Sequence, residues 1–173
     1  KSTLMKILAG FYPARSYSGQ ILVAGKPQEF RGVRDSEAAG IAIIYQELST
    51  IPEMTIGENI FIGREPLKVP ALGIIDWEKV YSESRRVLEK IGLHINPRSR
   101  IRDLAVGQRQ LVEIAKALTQ NPRVLILDEP TSALSEAETT TLLKLLKELS
   151  AQGVSCILIT HKLNEVLEVS DHV

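Results

Sequence analysis

Three short apolar runs, each closed by a polar residue, constrain this chain more than anything else in it. Ile41 to Tyr45 leads into Gln46, Val124 to Leu127 into Asp128-Glu129, and Cys156 to Ile159 into Thr160-His161. Runs this short and this rich in β-branched residues read as strands buried on both faces. Amphipathic helical stretches lie between them, and strands alternating with helices predict an α/β fold built on a parallel sheet. In such sheets ligands bind just beyond the carboxyl ends of the strands. The spacing therefore predicts one crevice on which Gln46, Asp128-Glu129 and His161 converge.

Composition agrees with a packed domain. The chain has 173 residues, 44% of them hydrophobic, with 21 Lys+Arg balanced by 21 Asp+Glu. That excludes a disordered polyelectrolyte, which needs low hydrophobicity and high net charge. A net charge of +0 gives no electrostatic reason to expect a nucleic-acid partner. The one cysteine, Cys156, lies in an apolar run and reads as a core residue. A membrane span needs about 20 consecutive apolar residues, and no run here approaches that. Lys1-Ser2-Thr3 opens directly into Leu4-Met5 with no leader, and a start on Lys raises the expectation of residues upstream.

Helix and turn signals fill in the order. Ser2 to Ala9 has helical apolar spacing with Gly10 as its stop; Tyr12 to Gly19 is turn material. Gln20 to Ala24 reads as a strand running into a turn at Gly25-Lys26-Pro27. Thr55 and Glu58 have the spacing of a capping box and open a short helix through Phe61. Residues 64–75 read as an irregular loop. Asp76 caps a helix with Val80, Val87, Leu88 and Ile91 on one face, and Leu111 to Leu118 is a further amphipathic helix. Ser135 and Glu138 form a second capping box before a helix whose stripe from Leu142 to Leu149 faces the core. The chain divides into 1–51, a mainly helical insertion at 52–121, and 122–173.

The chemistry these residues permit is narrower than any one of them suggests. Asp128 suits a hard cation, and a carboxylate beside it at Glu129 suits deprotonation of water for attack on a phosphoryl group. The same pair also suits the capping of a turn. Lys1-Ser2 matches only the last two residues of a phosphate-binding loop, but a helix begins immediately after it, as that motif requires. Gln46 and His161 taken singly are ordinary polar residues. Leu104 to Gln110 is a small-residue turn feeding a helix N-terminus. Trp77 reads as packing; His94 and His172 have no partners at ligand spacing, and no zinc site is expected.

In this order the pieces resemble the nucleotide-binding domain of an ATP-binding cassette (ABC) transporter, across nearly the whole chain. Lys1-Ser2-Thr3 resembles the tail of the phosphate loop, Ile43 to Glu47 the glutamine loop, and Leu104 to Gln108 the family signature. Leu125 to Thr131 resembles its acidic strand and Ile159 to His161 its histidine switch. Within the family, Val106 to Leu118 and Ala42 to Leu48 resemble the first of two tandem domains in bacterial sugar importers, and Tyr12 to Gly19 and Ser155 to Val166 are most similar to those that import D-xylose. The resemblance implies a P-loop NTPase-type parallel-sheet core with a β-rich N-terminal part and an inserted helical subdomain. It also implies family parts before Lys1 and after Val173.

What the family does sets the remaining expectations. ATP and Mg²⁺ are the implied ligands. Lys1, with Thr3 beside it, would contact phosphates, and Ser2, Asp128 and Gln46 would serve the metal. Glu129 would be the general base and His161 would contact the γ-phosphate. Gly107 and Gln108 would reach ATP on a second ABC domain paired head to tail. Partners would be integral-membrane permease subunits and, indirectly, a periplasmic sugar-binding protein, at the cytoplasmic face of the bacterial inner membrane. Two departures stand out: Ala105 replaces the usual signature serine, and Ser135 replaces a common aspartate. The competing expectations are a non-transport ABC ATPase acting on nucleic acid and a catalytically weak regulatory domain.

Overall fold

The computed structural model describes residues 2–172, with Ser2 in backbone only. Helix α1 (Ser2–Leu8) ends at Gly10, whose φ of +75° is left-handed. Glycine is required there twice over, because a Cβ would also sit 2.5 Å from the Gly32 carbonyl oxygen. Strands β1 (Ile21–Val23) and β2 (Lys26–Gln28) form an antiparallel hairpin. Its turn is Ala24-Gly25, with φ of +50° and +74°, the geometry of a two-residue hairpin. The turn expected at Gly25-Lys26-Pro27 is thus shorter, and Lys26-Pro27 belong to the second strand. Helix α2 (Val33–Ala38) was not expected, since Val-Arg-Asp-Ser-Glu-Ala carries no apolar period.

Strand β3 (Ile41–Ile44) stops two residues before Gln46. Helix α3 (Ile56–Phe61) opens with both halves of the capping box: Glu58 N–H donates to Thr55 Oγ1 at 3.2 Å, and Thr55 N–H to Glu58 Oε2 at 2.6 Å. The supposed loop at 64–75 is instead a second hairpin, β4 (Leu67–Val69) and β5 (Ile74–Ile75), joined by a 3₁₀ turn at Pro70–Leu72. Its prolines and Gly73 hide the pairing because they sit before and within the turn. Helix α4 (Trp77–Lys90) starts where Asp76 Oδ1 accepts from Lys79 N–H at 3.0 Å. Helix α5 (Val106–Leu118) follows a 3₁₀ turn at Ile101–Asp103.

Strand β6 (Val124–Asp128), helix α6 (Glu136–Ala151), strand β7 (Ser155–Ile159) and helix α7 (Leu163–Val169) complete the chain. β3, β6 and β7 form a parallel sheet in that order, with Ile44 opposite Leu127 and Leu127 opposite Leu158. Alternate residues of a strand face opposite ways, and here each face has its own core. Ala42, Ile44, Leu125 and Leu127 join the large cluster under α3, α4, α5 and α6. Ile41 and Ile126 join Met5 and Phe30 on the other face. Leu125, Ile126 and Leu127 are all essentially inaccessible, as a central parallel strand requires.

Two packing expectations need adjustment. Cys156 packs against the large cluster but is only half-buried, because β7 is the last of the three strands. Trp77 is exposed and stacks on Tyr81, centroids 6.2 Å apart, with the Arg98 guanidinium 4.0 Å above the Tyr81 ring. Among the described residues no helix is long and apolar enough to cross a membrane.

Candidate functional site

The sheet register brings the polar strand ends to one edge. With Ile44, Leu127 and Leu158 level across the three strands, Gln46, Glu129 and Thr160 each lie two residues further along. Glu129 breaks from the strand with φ of +51°, a conformation disfavoured for a non-glycine residue. Its N–H still donates to Ile159 O at 2.8 Å, so the ladder extends to the residue that bends. The bend carries the carboxylate across to the neighbouring strand end: Glu129 Oε2 lies 3.6 Å from His161 Nδ1. The Glu129 side chain is 22% exposed and that of His161 70%, so the pair has one sheltered and one open member.

Gln46 stands at the same edge, exposed, on a loop that leaves the sheet for the helical part of the chain. That loop is held twice. Ser49 donates from its N–H and its hydroxyl to Glu113 on α5, and Ile51 exchanges two hydrogen bonds with the Asn59 side chain, at 2.7 and 3.1 Å. Asp128, at the end of β6, is half-buried. Among the described residues no three His, Cys, Asp or Glu side chains form a metal cage. A strand-end carboxylate, with an amide two residues past the end of the adjoining strand, offers hard oxygen donors of the kind that fit Mg²⁺, which takes few protein ligands and fills its shell from phosphate and water.

Gly107 and Gln108 are not drawn into this cluster. Gly107 is buried against the segment after the acidic strand, where a Cβ would meet Ala133 O at 3.0 Å and Glu138 Oε2 at 3.1 Å. Gln108 Oε1 accepts from Ala105 N–H at 3.1 Å and so closes the start of α5. Arg109 braces the same turn, donating to Leu104 O and Arg102 O, each at 3.0 Å. Thr3 is exposed in the first turn of α1. Lys1 and the Ser2 side chain lie outside the described residues.

Ser135 is the N-cap of α6, its hydroxyl accepting from Glu138 N–H at 3.3 Å. An aspartate there would cap equally well, so the departure leaves the local fold intact.

A buried polar cluster behind the edge has no counterpart in the sequence reading. The Glu165 carboxylate on α7, 6% exposed, accepts from Thr131 Oγ1 at 2.9 Å and from Thr160 Oγ1 at 3.1 Å. Its other oxygen pairs with Lys162 Nζ at 3.2 Å, and that ammonium also donates to Thr131 O at 3.0 Å. Glutamate is rarely buried unless paired, but nothing in a linear sequence marks which glutamate that will be.

Fold and edge together define a parallel α/β domain of the cassette class. The family model for ABC transporters matches residues 1–132, and the chain belongs to that family. It is 56% identical over its full length to the xylose import ATP-binding protein XylG of Thermoanaerobacter pseudethanolicus, and 48% identical to the L-arabinose transport ATP-binding protein AraG of Geobacillus stearothermophilus. It spans about a third of those relatives, 34% and 33% respectively. A nucleotide-free ATP-binding cassette from an ABC transporter superposes with a TM-score of 0.79 at 27% identity, covering 97% of this chain and 68% of that one. The ADP conformation of the cassette MJ1267 gives 0.78 at 28%, covering 98% and 68%.

Proposed function

We propose that this chain forms part of the ATP-binding and hydrolysing subunit that energises import of a monosaccharide, D-xylose first among the candidates, through a separate membrane permease. The observation that carries this reading is the approach of Glu129 to His161 at the carboxyl edge of the sheet. Similarity to xylose and arabinose import proteins supports the cargo class.

Glu129 takes the proton from a water that attacks the γ-phosphorus in line, and the bond to the leaving ADP oxygen breaks. His161 donates to the γ-phosphate and holds it against Glu129. Gln46 orients the water and senses the occupied site. Asp128, the Ser2 hydroxyl and Gln46 would hold Mg²⁺, which would supply charge neutralisation on the phosphate oxygens. Lys1 and Thr3 would contact the phosphates, while Gly107 and Gln108 would reach ATP on a second cassette paired head to tail. Ala105 gives that composite site one hydroxyl fewer than the family pattern. It weakens the site without silencing it, since Glu129 and His161 are both present.

The parts act as the division at 51 and 121 suggests: a core that binds nucleotide and a helical insertion that docks on the permease. A cleft of about 340 Å³ between β3 and α5, lined in part by Tyr45, Glu47, Ser49 and Glu113, adjoins the Gln46 loop and suits that docking. A periplasmic sugar-binding protein acts through the permease, which places the subunit at the cytoplasmic face of the bacterial inner membrane.

The deciding experiment is Glu129→Gln in the whole polypeptide that carries this chain. Hydrolysis is expected to fall by at least about 100-fold with ATP binding retained. Undiminished turnover would remove Glu129 from the base role.

A further inference from the structure

We propose that Glu165 is a positioning residue that sets the distance between Glu129 and His161. This inference rests on the roles just given to those two residues. His161 projects into solvent, so its placement depends on its chain neighbours. Both neighbours converge on one carboxylate. Thr160 donates its hydroxyl to Glu165 Oε2 at 3.1 Å and accepts from Lys162 N–H at 3.1 Å, which closes the backbone around His161. Lys162 pairs with Glu165 Oε1 at 3.2 Å.

The same carboxylate holds the other side. Thr131, two residues beyond Glu129 and itself only 1% exposed, donates to Glu165 Oε2 at 2.9 Å. Lys162 Nζ reaches back to Thr131 O at 3.0 Å and to Thr131 Oγ1 at 3.3 Å. Each partner of Glu165 therefore lies within two residues of Glu129 or next to His161, and Lys162 bonds both to Glu165 and to Thr131. Glu165 touches neither reacting group. It fixes the two turns that present them, and it does so in a shielded site where a hydrogen-bonded charge is held firmly. A shift of about 1 Å in such a pair is enough to cost a large factor in rate.

The test uses the whole polypeptide with Thr131→Val and Glu165→Gln, each alone and each combined with His161→Ala. Thr131→Val removes one hydroxyl at near-constant volume, and Glu165→Gln keeps an acceptor for the two threonines while losing the pairing with Lys162. Thermal unfolding confirms that each variant is folded. The expected result is a kcat lowered about 10-fold in each single variant with KM for ATP little changed. On the His161→Ala background each change lowers kcat clearly less than it does alone, because the distance that Glu165 sets has lost one of its two members. Wild-type kcat in both single variants, beside an impaired His161→Ala, overturns the positioning role and leaves the catalytic reading standing. So does an equal loss with and without His161, the mark of a structural effect. Full activity in His161→Ala overturns the catalytic reading itself, and this inference with it.

Discussion

Glu113 Oε1 accepts two hydrogen bonds from Ser49, one from its N–H at 3.1 Å and one from its hydroxyl at 2.8 Å. The first residue belongs to the helix that begins at Val106, the second to the loop that carries Gln46. One carboxylate oxygen thus ties α5 to the loop leaving the strand edge.

Glu113→Ala should therefore loosen that loop more than it unfolds the protein. Each hydrogen bond of this kind contributes roughly 1 kcal/mol net. Urea unfolding should show a loss of about 2 kcal/mol for the two bonds, while amide exchange at Ser49 accelerates well beyond that of the helices. Unchanged exchange at Ser49 would dissolve the link. Glu113→Gln keeps the acceptor and should preserve most of the protection.

Gly10 and Gly25 have nearly the same backbone angle, φ of +75° and +74°, in different surroundings. Nothing lies within 4 Å of a Cβ at Gly25, whereas one at Gly10 collides with the Gly32 backbone. Gly25→Ala should cost about 1 kcal/mol, the conformational penalty alone. Gly10→Ala should cost clearly more, read as a larger drop in Tm. Equal losses would mean that the contact between Gly10 and Gly32 relaxes freely.

Leu127 is inaccessible in the central strand, and Ile157 on β7 is 44% exposed. Leu127→Ala leaves a cavity beneath α5 and α6 and should destabilise by about 2–5 kcal/mol. Ile157→Ala should cost under about 1 kcal/mol. Chemical denaturation of the two variants checks the ranking.

Burial pushes the Cys156 thiol and the Tyr45 phenol above their ordinary pKa values. Both groups are neutral when protonated, so the folded state keeps protons that the unfolded state gives up first. The contribution of these two groups to stability should be constant below roughly pH 8.5 and fall as pH rises through the folded-state values. Cys156→Ser should flatten the first part of that decline. Alkylation of Cys156 at pH 8 should be slow in the folded protein and speed up on unfolding.

The gathering of polar strand ends on one edge was readable in the sequence because it depends on a local rule. Gln46, Asp128 and His161 each follow an apolar run, and parallel pairing carries such ends to one side whatever the loops do. Capping at Thr55, Asp76 and Ser135 was readable for the same reason, since donor and acceptor lie three residues apart. The hairpin at Leu67–Ile75 was not, because its two strands are too short to show alternation and its prolines read as breaks. Helix α2 lacks a period altogether. Glu165 was invisible for a different reason: its partners Thr131 and Thr160 are 34 and five residues away, and only the folded arrangement makes them neighbours.

Because Ile126 packs on the opposite face from Leu125 and Leu127, the strand cannot slide by one position without exchanging the contents of both layers. The same slide would turn the carboxylate of Asp128 from one surface to the other and move the bend at Glu129 off the rim. Insertions or deletions within these five residues would thus destroy packing and chemistry together. Tuning of this edge is left to side-chain replacement and to changes in the loops beyond it.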